Sequence, residues 1–132
     1  MNEIDWVERR QEWFDAVERL YRQVTDELLA DSIAQGLVTV SRNEKVIEEE
    51  YLGTYSVSEL VLDVSGENVR FSPKGRNIIG ANGRVDLVGE LDVMTLILEP
   101  NGHWDIVLSR VPRHAVALDR KTLTDALRRV MR

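Results

Sequence analysis

The sequence predicts an α+β fold: an antiparallel β-meander of about six to eight short strands, packed by a long N-terminal helix and a short C-terminal one. Three observations carry that expectation. Apolar residues recur at helical spacing over the first 34 positions, and again over positions 120–131. Between them, positions 37–117 hold short apolar alternations separated by turn dipeptides. No segment in that middle region has the length or period of a crossover helix, which favours a meander over βαβ units.

The first helix is expected from Glu3 to Ala34. Val7, Phe14, Val17, Tyr21, Val24 and Leu28 recur at spacings of three, four and seven, and Trp6, Trp13 and Leu20 widen the stripe by one position. Leaving such side chains in water forfeits about 1.5–3 kcal/mol each, so this face has to be covered. Glu8, Arg9, Glu12, Asp15, Glu18, Arg19 and Arg22 largely fill the opposite face. Gly36 follows the last apolar residue, Ile33, as a natural stop. The stripe also resembles a short heptad seam, which makes helix-mediated dimerisation an alternative. Aromatic residues in the seam favour packing on a sheet instead.

The strands are expected near Leu37–Arg42, Lys45–Tyr51, Leu60–Val64, Val69–Phe71, Asn77–Gly80, Arg84–Val88, Leu91–Glu99 and Trp104–Val111. Turns are read at Arg42–Asn43, Ser65–Gly66, Asn82–Gly83, Gly89–Glu90 and Asn101–Gly102. One hairpin yields its register. A two-residue Asn101–Gly102 turn would ask Pro100 for an N–H that proline lacks. A three-residue loop, Pro100 to Gly102, avoids this and puts Met94, Leu96, Leu98, Trp104, Ile106 and Leu108 on one apolar face. The other face then carries Val93, Thr95, Ile97, Glu99, His103, Asp105, Val107 and Ser109, and its apolar members need a helix, a cavity wall or a second copy over them.

In the last helix Leu123, Ala126, Leu127, Val130 and Met131 follow the helical spacing. Thr122 to Asp125 reads as a capping box in its Asp form, with Asp119 as the competing cap. Arg128, Arg129 and Arg132 sit where positive charge suits the helix dipole. Without a repeat or a linker, residues 1–132 are expected to form one domain: helix 3–34, sheet region 37–117, helix 120–131.

Composition narrows the chemistry. Hydrophobic residues at 43% and charged residues at 30% are ordinary globular usage. There is no cysteine, which excludes disulfides, thiolate metal sites and a cysteine nucleophile, and favours a reducing compartment. The acidic N-terminal residues do not resemble a signal peptide, and the apolar stretch near Val93–Leu98 is too short to span a bilayer. A cytoplasmic location without membrane association is therefore expected. A net charge of −6 and a pI near 5.0 disfavour nucleic acid as a partner, despite the local arginine pairs.

Two constellations stand out. Glu99, His103 and Asp105 become neighbours beside the hairpin turn, where two carboxylates around an imidazole suit acid–base work or a divalent ion. Ordinary charge pairing at a solvated hairpin tip competes with that reading. Arg110, Arg113 and His114 have the forked donors that suit a planar anion, with Trp104 as an aromatic wall, although Pro112 favours a surface turn there. The stretch Gly80 to Arg84 lacks the Gly-Lys-Ser/Thr ending of a phosphate loop and reads as a turn. The run Glu48 to Glu50 reads as the charged edge of a sheet. No cofactor or metal is implied.

The residues therefore favour a non-enzymatic protein-interaction module of the accessory, inhibitor or immunity-like kind, acting on a protein partner or on itself as a homodimer. The alternative is a small-molecule-binding domain with a cavity between sheet and long helix, walled by Trp6, Trp13, Trp104 and the tyrosines. A small hydrolase or metal-dependent enzyme built on Glu99, His103 and Asp105 is the third class.

Overall fold

The structure, a computed structural model, describes residues 5–76 and 82–132. It is α+β. One seven-stranded antiparallel sheet in the order β1-β2-β3-β4-β5-β6-β7 is a pure meander, each strand pairing with the next in sequence. Its strands are β1 (Val38–Glu49), β2 (Gly53–Val64), β3 (Glu67–Gly75), β4 (Arg84–Val88), β5 (Val93–Leu98), β6 (Trp104–Arg110) and β7 (Arg113–Ala117). No helix among the described residues is long and apolar enough to cross a membrane.

The long N-terminal helix is built in three pieces: α1 (Trp6–Arg22), a π-helical segment (Gln23–Leu28) and α2 (Ala30–Ala34). Asp5 caps α1 by accepting the Glu8 N–H at 3.0 Å. Trp13, Val17, Leu20 and Tyr21 form the buried stripe. The π segment inserts a wide turn, so the stripe slips by one residue. Leu29 is buried in the place expected of Leu28, which is only half-buried. Val7 is corrected outright: it is 67% exposed, and in that first turn Trp6 faces the fold, stacked on Tyr51. At the far end Gly36, at φ +75°, donates to Ile33 while Leu37 donates to Ser32, which closes the last turn.

The expected turn at Arg42–Asn43 does not exist. β1 runs through it, and β2 starts seven residues before the expected Leu60. The buried residues explain the misreading. In β2 they are Tyr55 and Val57, then Leu60 and Leu62, so the alternation changes phase midway. β2 pairs with β3 only from Leu60 to Val64, and its first half is held by β1 alone. A two-stranded ribbon twists more strongly than a full sheet. It turns its other face inward, where Tyr55 meets Phe14 edge-on with ring centroids 5.4 Å apart. At the split the Tyr21 hydroxyl donates to the Ser58 carbonyl at 2.5 Å, and Lys45 Nζ donates to Ser72 Oγ and the Pro73 carbonyl, both at 2.9 Å. Side chains thus take over acceptors that the ladder gives up.

The 93–111 hairpin has the expected three-residue loop. Leu98 faces Trp104, Leu96 faces Ile106, and Gly102 occupies the left-handed position at φ +88°. Leu108 shares the α3 side of the sheet with Met94 and Val116, as expected, but is 42% exposed there. The surface turn expected at Pro112 is present, and it leads into β7, a strand the sequence reading missed. The expected strand Asn77–Gly80 lies outside the described residues. α3 (Arg120–Val130) is capped by Asp119, with Thr122 reciprocating, so the Thr122–Asp125 box is corrected in favour of its competitor. Leu123, Ala126, Leu127 and Val130 bury its inner face.

Candidate functional site

The first predicted constellation assembles as ordinary charge pairing. Glu99 accepts from Arg113 at 2.6 Å. Asp105 lies on the same face, and burial together with the Glu99 carboxylate raises its pKa, while His103 and Arg113 pull it back. His103 is exposed. Among the described residues no group of three His, Asp and Glu side chains is placed to hold a metal ion.

The second constellation is divided: the β6–β7 ladder sets Arg110 opposite Arg113 and Ser109 opposite His114, while Trp104 lies at the other end of β6. Trp104 is buried in the core against Trp13, 6.2 Å between ring centroids, and no cleft described below reaches it. The aromatic residues expected to wall a cavity thus pack on one another. Arg113 is engaged by Glu99, and the exposed His114 faces Ser109 across the β6–β7 ladder. Arg110 alone points to something else.

Its surroundings begin with two apolar strands that each carry one polar residue in the middle: Asp86 in β4 and Thr95 in β5. They face each other in register on the side of the sheet away from α1, at 5% and 9% exposure. A carboxylate so placed needs partners. Arg84 supplies two, at 2.8 and 3.0 Å, and the Thr95 hydroxyl a third at 3.2 Å. The carboxylate in turn strengthens the proton hold of Arg84. Having donated its one proton to Asp86, the Thr95 oxygen accepts from Arg110 at 3.3 Å. The chain Asp86–Thr95–Arg110 orients the guanidinium of an exposed arginine, and no carboxylate among the described residues pairs with it.

Arg110 borders a gap in the sheet. β5 and β6 pair from Leu98–Trp104 to Thr95–Val107 and then part, because β6 bulges between Val107 and Ser109 to reach its register with β7. Val93 and Met94 no longer face a partner strand on that side, and the Val93 N–H turns to the Asp92 carboxylate at 2.8 Å. A cleft of about 170 Å3 opens there, with Arg110 on one wall and Arg129 of α3 on another. Arg129 is held loosely by Asp92 at 3.4 Å, an exposed pair worth about 0–1 kcal/mol.

A second cleft of about 260 Å3 adjoins it between α3 and the sheet, and the two share Met94, Leu108 and Arg129. Val116 and Ala126 complete its apolar floor, and Lys121 adds a cation at the rim. Leu108, displaced by the bulge, is 42% exposed between the two clefts, with Val93 at 48%, Leu91 at 65% and Val111 at 91% close by in the chain. The linings of the two clefts carry Arg110, Arg129 and Lys121 against Asp92 and Asp125; Arg129 pairs with Asp92 and Lys121 with Asp125, which leaves Arg110 as the cation not held by a carboxylate among the described residues.

Of this site only Arg110 was singled out from the sequence. Asp86 and Thr95 carried a usable signal, a lone polar residue at the centre of an apolar strand. Met94 and Leu108 carried none, since their place beside the clefts follows from the bulge. One further pairing, Lys45 Nζ on Ser72 Oγ, has the atoms of a serine–lysine dyad, but Ser72 is 2% exposed and its oxygen is sealed from any substrate. The chain matches no family model, no curated protein and no solved structure.

Proposed function

We propose that this protein is a non-enzymatic protein-interaction module, docking a partner at the split end of β5 and β6 and in the cleft beside it. The partner presents an apolar side chain next to a carboxylate. The observation that carries this reading is the pair of adjoining clefts that share Met94 and the exposed Leu108, bordered by a guanidinium that Thr95 orients and that no carboxylate among the described residues occupies. Each cleft, of about 170 and 260 Å3, has room for one anchor side chain of a protein. Arginine is the cation of choice for such a contact, because its fork holds a carboxylate in a fixed orientation.

The test is a titration of isotope-labelled protein, followed by amide NMR shifts, with two short synthetic peptides. One carries tryptophan and leucine flanked by glutamates, and in the other lysines replace the glutamates. The expected result is saturable shifts at Thr95, Leu108, Arg110 and Arg129 with the acidic peptide alone, lost in Arg110→Glu and retained in His103→Ala. Equal shifts with both peptides, or none with either, overturn the reading.

A further inference from the structure

We infer that β1 pairs with β1 of a second copy of the chain, antiparallel and centred on Asn43, so that two seven-stranded sheets join into one. β1 is an edge strand. β2 borders it on one side, and no strand among the described residues borders it on the other. Shortness is one ordinary protection of a sheet edge. The opposite edge, β7, has it with five residues, whereas β1 runs for twelve and is exposed continuously from Thr39 to Glu44. Two valines on the same side of its pleat remain in solvent, Val40 at 38% and Val46 at 67%.

The strand's own sequence names the occupant. From Val40 to Val46 it reads Val-Ser-Arg-Asn-Glu-Lys-Val, which is self-complementary about Asn43. A two-fold axis normal to the sheet sets each residue opposite one on the same side of the pleat, and if i faces j then j faces i. Centred on Asn43, Val40 meets Val46, Arg42 meets Glu44, and the two Asn43 side chains meet each other. An amide is both donor and acceptor, so it pairs with its own copy. Moving the axis by one residue sets Arg42 against Arg42 or Glu44 against Glu44. Moving it by two sets Val40 against Arg42 or Lys45 against Lys45. Like charges directly opposite are unfavourable, which leaves the Asn43 register. Arg42 keeps Glu18 and Glu44 keeps Ser58 within its own chain, so these charges select the register by what they exclude. The attraction comes from backbone hydrogen bonds along the edge and from covering the valines. Three strands separate β1 from β5, so the dimer leaves the docking surface open and does not depend on it.

Because the chain has no cysteine, an introduced thiol is unique. Asn43→Cys sets the two thiols of a dimer opposite each other, at a Cα separation of about 4.5–5.5 Å, inside the range of a disulfide. In Ser41→Cys the two thiols are offset by four residues along the strands, about 13 Å, and cannot join. Each full-length variant is incubated with oxidised glutathione, and linked dimers are read by mass spectrometry without reduction. Asn43→Cys should link at least tenfold faster than Ser41→Cys. In sedimentation velocity the wild-type chain should pass from monomer to dimer with concentration and grow no further, since an isologous contact closes on itself. Val46→Lys should weaken the dimer at least tenfold, and Val7→Lys, at an equally exposed position on α1, should leave it unchanged. A wild-type protein that stays monomeric overturns the inference, as do equal linking rates for the two thiols or a dimer indifferent to Val46→Lys. The acidic-peptide titration reads the other surface, so the failure of either reading is seen separately.

Discussion

Replacing Gly89 with alanine should cost far more than its place in a surface loop suggests. Gly89 has no positive φ to justify it; what it provides is space. A Cβ there would lie 2.2 Å from the Val130 carbonyl oxygen and 2.6 Å from its carbon, where ordinary contact begins near 3.4 Å. The obstacle is backbone, so the end of α3 must retreat by about 1 Å. That carbonyl also accepts the Leu91 and Asp92 N–H groups, at 2.9 and 3.4 Å. Overpacking costs about 1–3 kcal/mol and the loss of the shorter hydrogen bond about 0.5–1.5 kcal/mol, or roughly 2–4 kcal/mol together. With a urea slope of about 2 kcal/mol/M, the middle of the usual range, the unfolding midpoint should fall by about 1–2 M. Gly66→Ala is the matched control. Its glycine is at φ +88° with nothing within 4 Å, so only the left-handed penalty of about 1–2 kcal/mol applies. Should Gly89→Ala cost no more than Gly66→Ala, the close approach of loop and helix end is wrong. So, then, is the placement of Arg129 over the cleft.

Tyr21→Phe leaves the Ser58 carbonyl without its donor and should cost about 1–3 kcal/mol by urea unfolding, with no change in packing volume. Burial pushes the Tyr21 phenol well above its ordinary value of 10.0, and burial followed by the Glu49 carboxylate does the same for Tyr55. Both favour the neutral phenol in the folded state. Their contribution is therefore complete below pH 10 and drains away as pH rises through the raised folded values. Stability measured against pH should fall on the alkaline side, and the fall should be shallower in Tyr21→Phe. Thr95→Val removes the link between Asp86 and Arg110 at nearly constant volume. It should cost about 1–2 kcal/mol in stability and weaken acidic-peptide binding several-fold, whereas binding undiminished by the substitution would show that Arg110 needs no orientation.

The legible parts of this fold are those decided by local pattern. α3 repeats its apolar residues at helical spacing, and the 93–111 hairpin has one register that keeps Asp105 and Ser109 away from Leu96 and Leu98. The illegible parts are those in which the pattern changes partway through an element. α1 continues into a π turn that transfers burial from Leu28 to Leu29, and no residue type announces that extra width. β1 and β2 exchange buried faces where β3 lets go of them, so a strict alternation search divides one ribbon into pieces and reads Arg42–Asn43 as a turn. Pro112 is a genuine break, yet a strand resumes one residue later, because Arg113–Ala117 needs only one partner to form an edge. Of the candidate site residues, the sequence placed Glu99, His103 and Asp105 together, which the hairpin register alone decides. It also grouped Arg110 with Trp104, which lies at the other end of β6 and in the core.

The split beside Arg110 belongs to the class of features that no single strand encodes. β6 has two neighbours and must satisfy both. With β5 its pairs run from Trp104 to Val107, and with β7 they shift by one residue between Val107 and Ser109. One bulged residue, Leu108, reconciles the two ladders, at the cost of pairing with β5 beyond Thr95. An edge strand gives up such pairing to water with little consequence, but here the gap falls between two interior strands of a seven-stranded sheet, where backbone groups are ordinarily paired. The Asp92 carboxylate compensates one of them, the Val93 N–H, and Leu108 is left half in solvent. A domain under pressure only to be stable would remove the bulge by deleting one residue, which would close the ladder, bury Leu108 and leave Thr95 facing a continuous sheet. Keeping the bulge places the half-exposed Leu108 and the guanidinium that Thr95 orients within one small area, which is why the proposed docking surface is put at this point of the sheet.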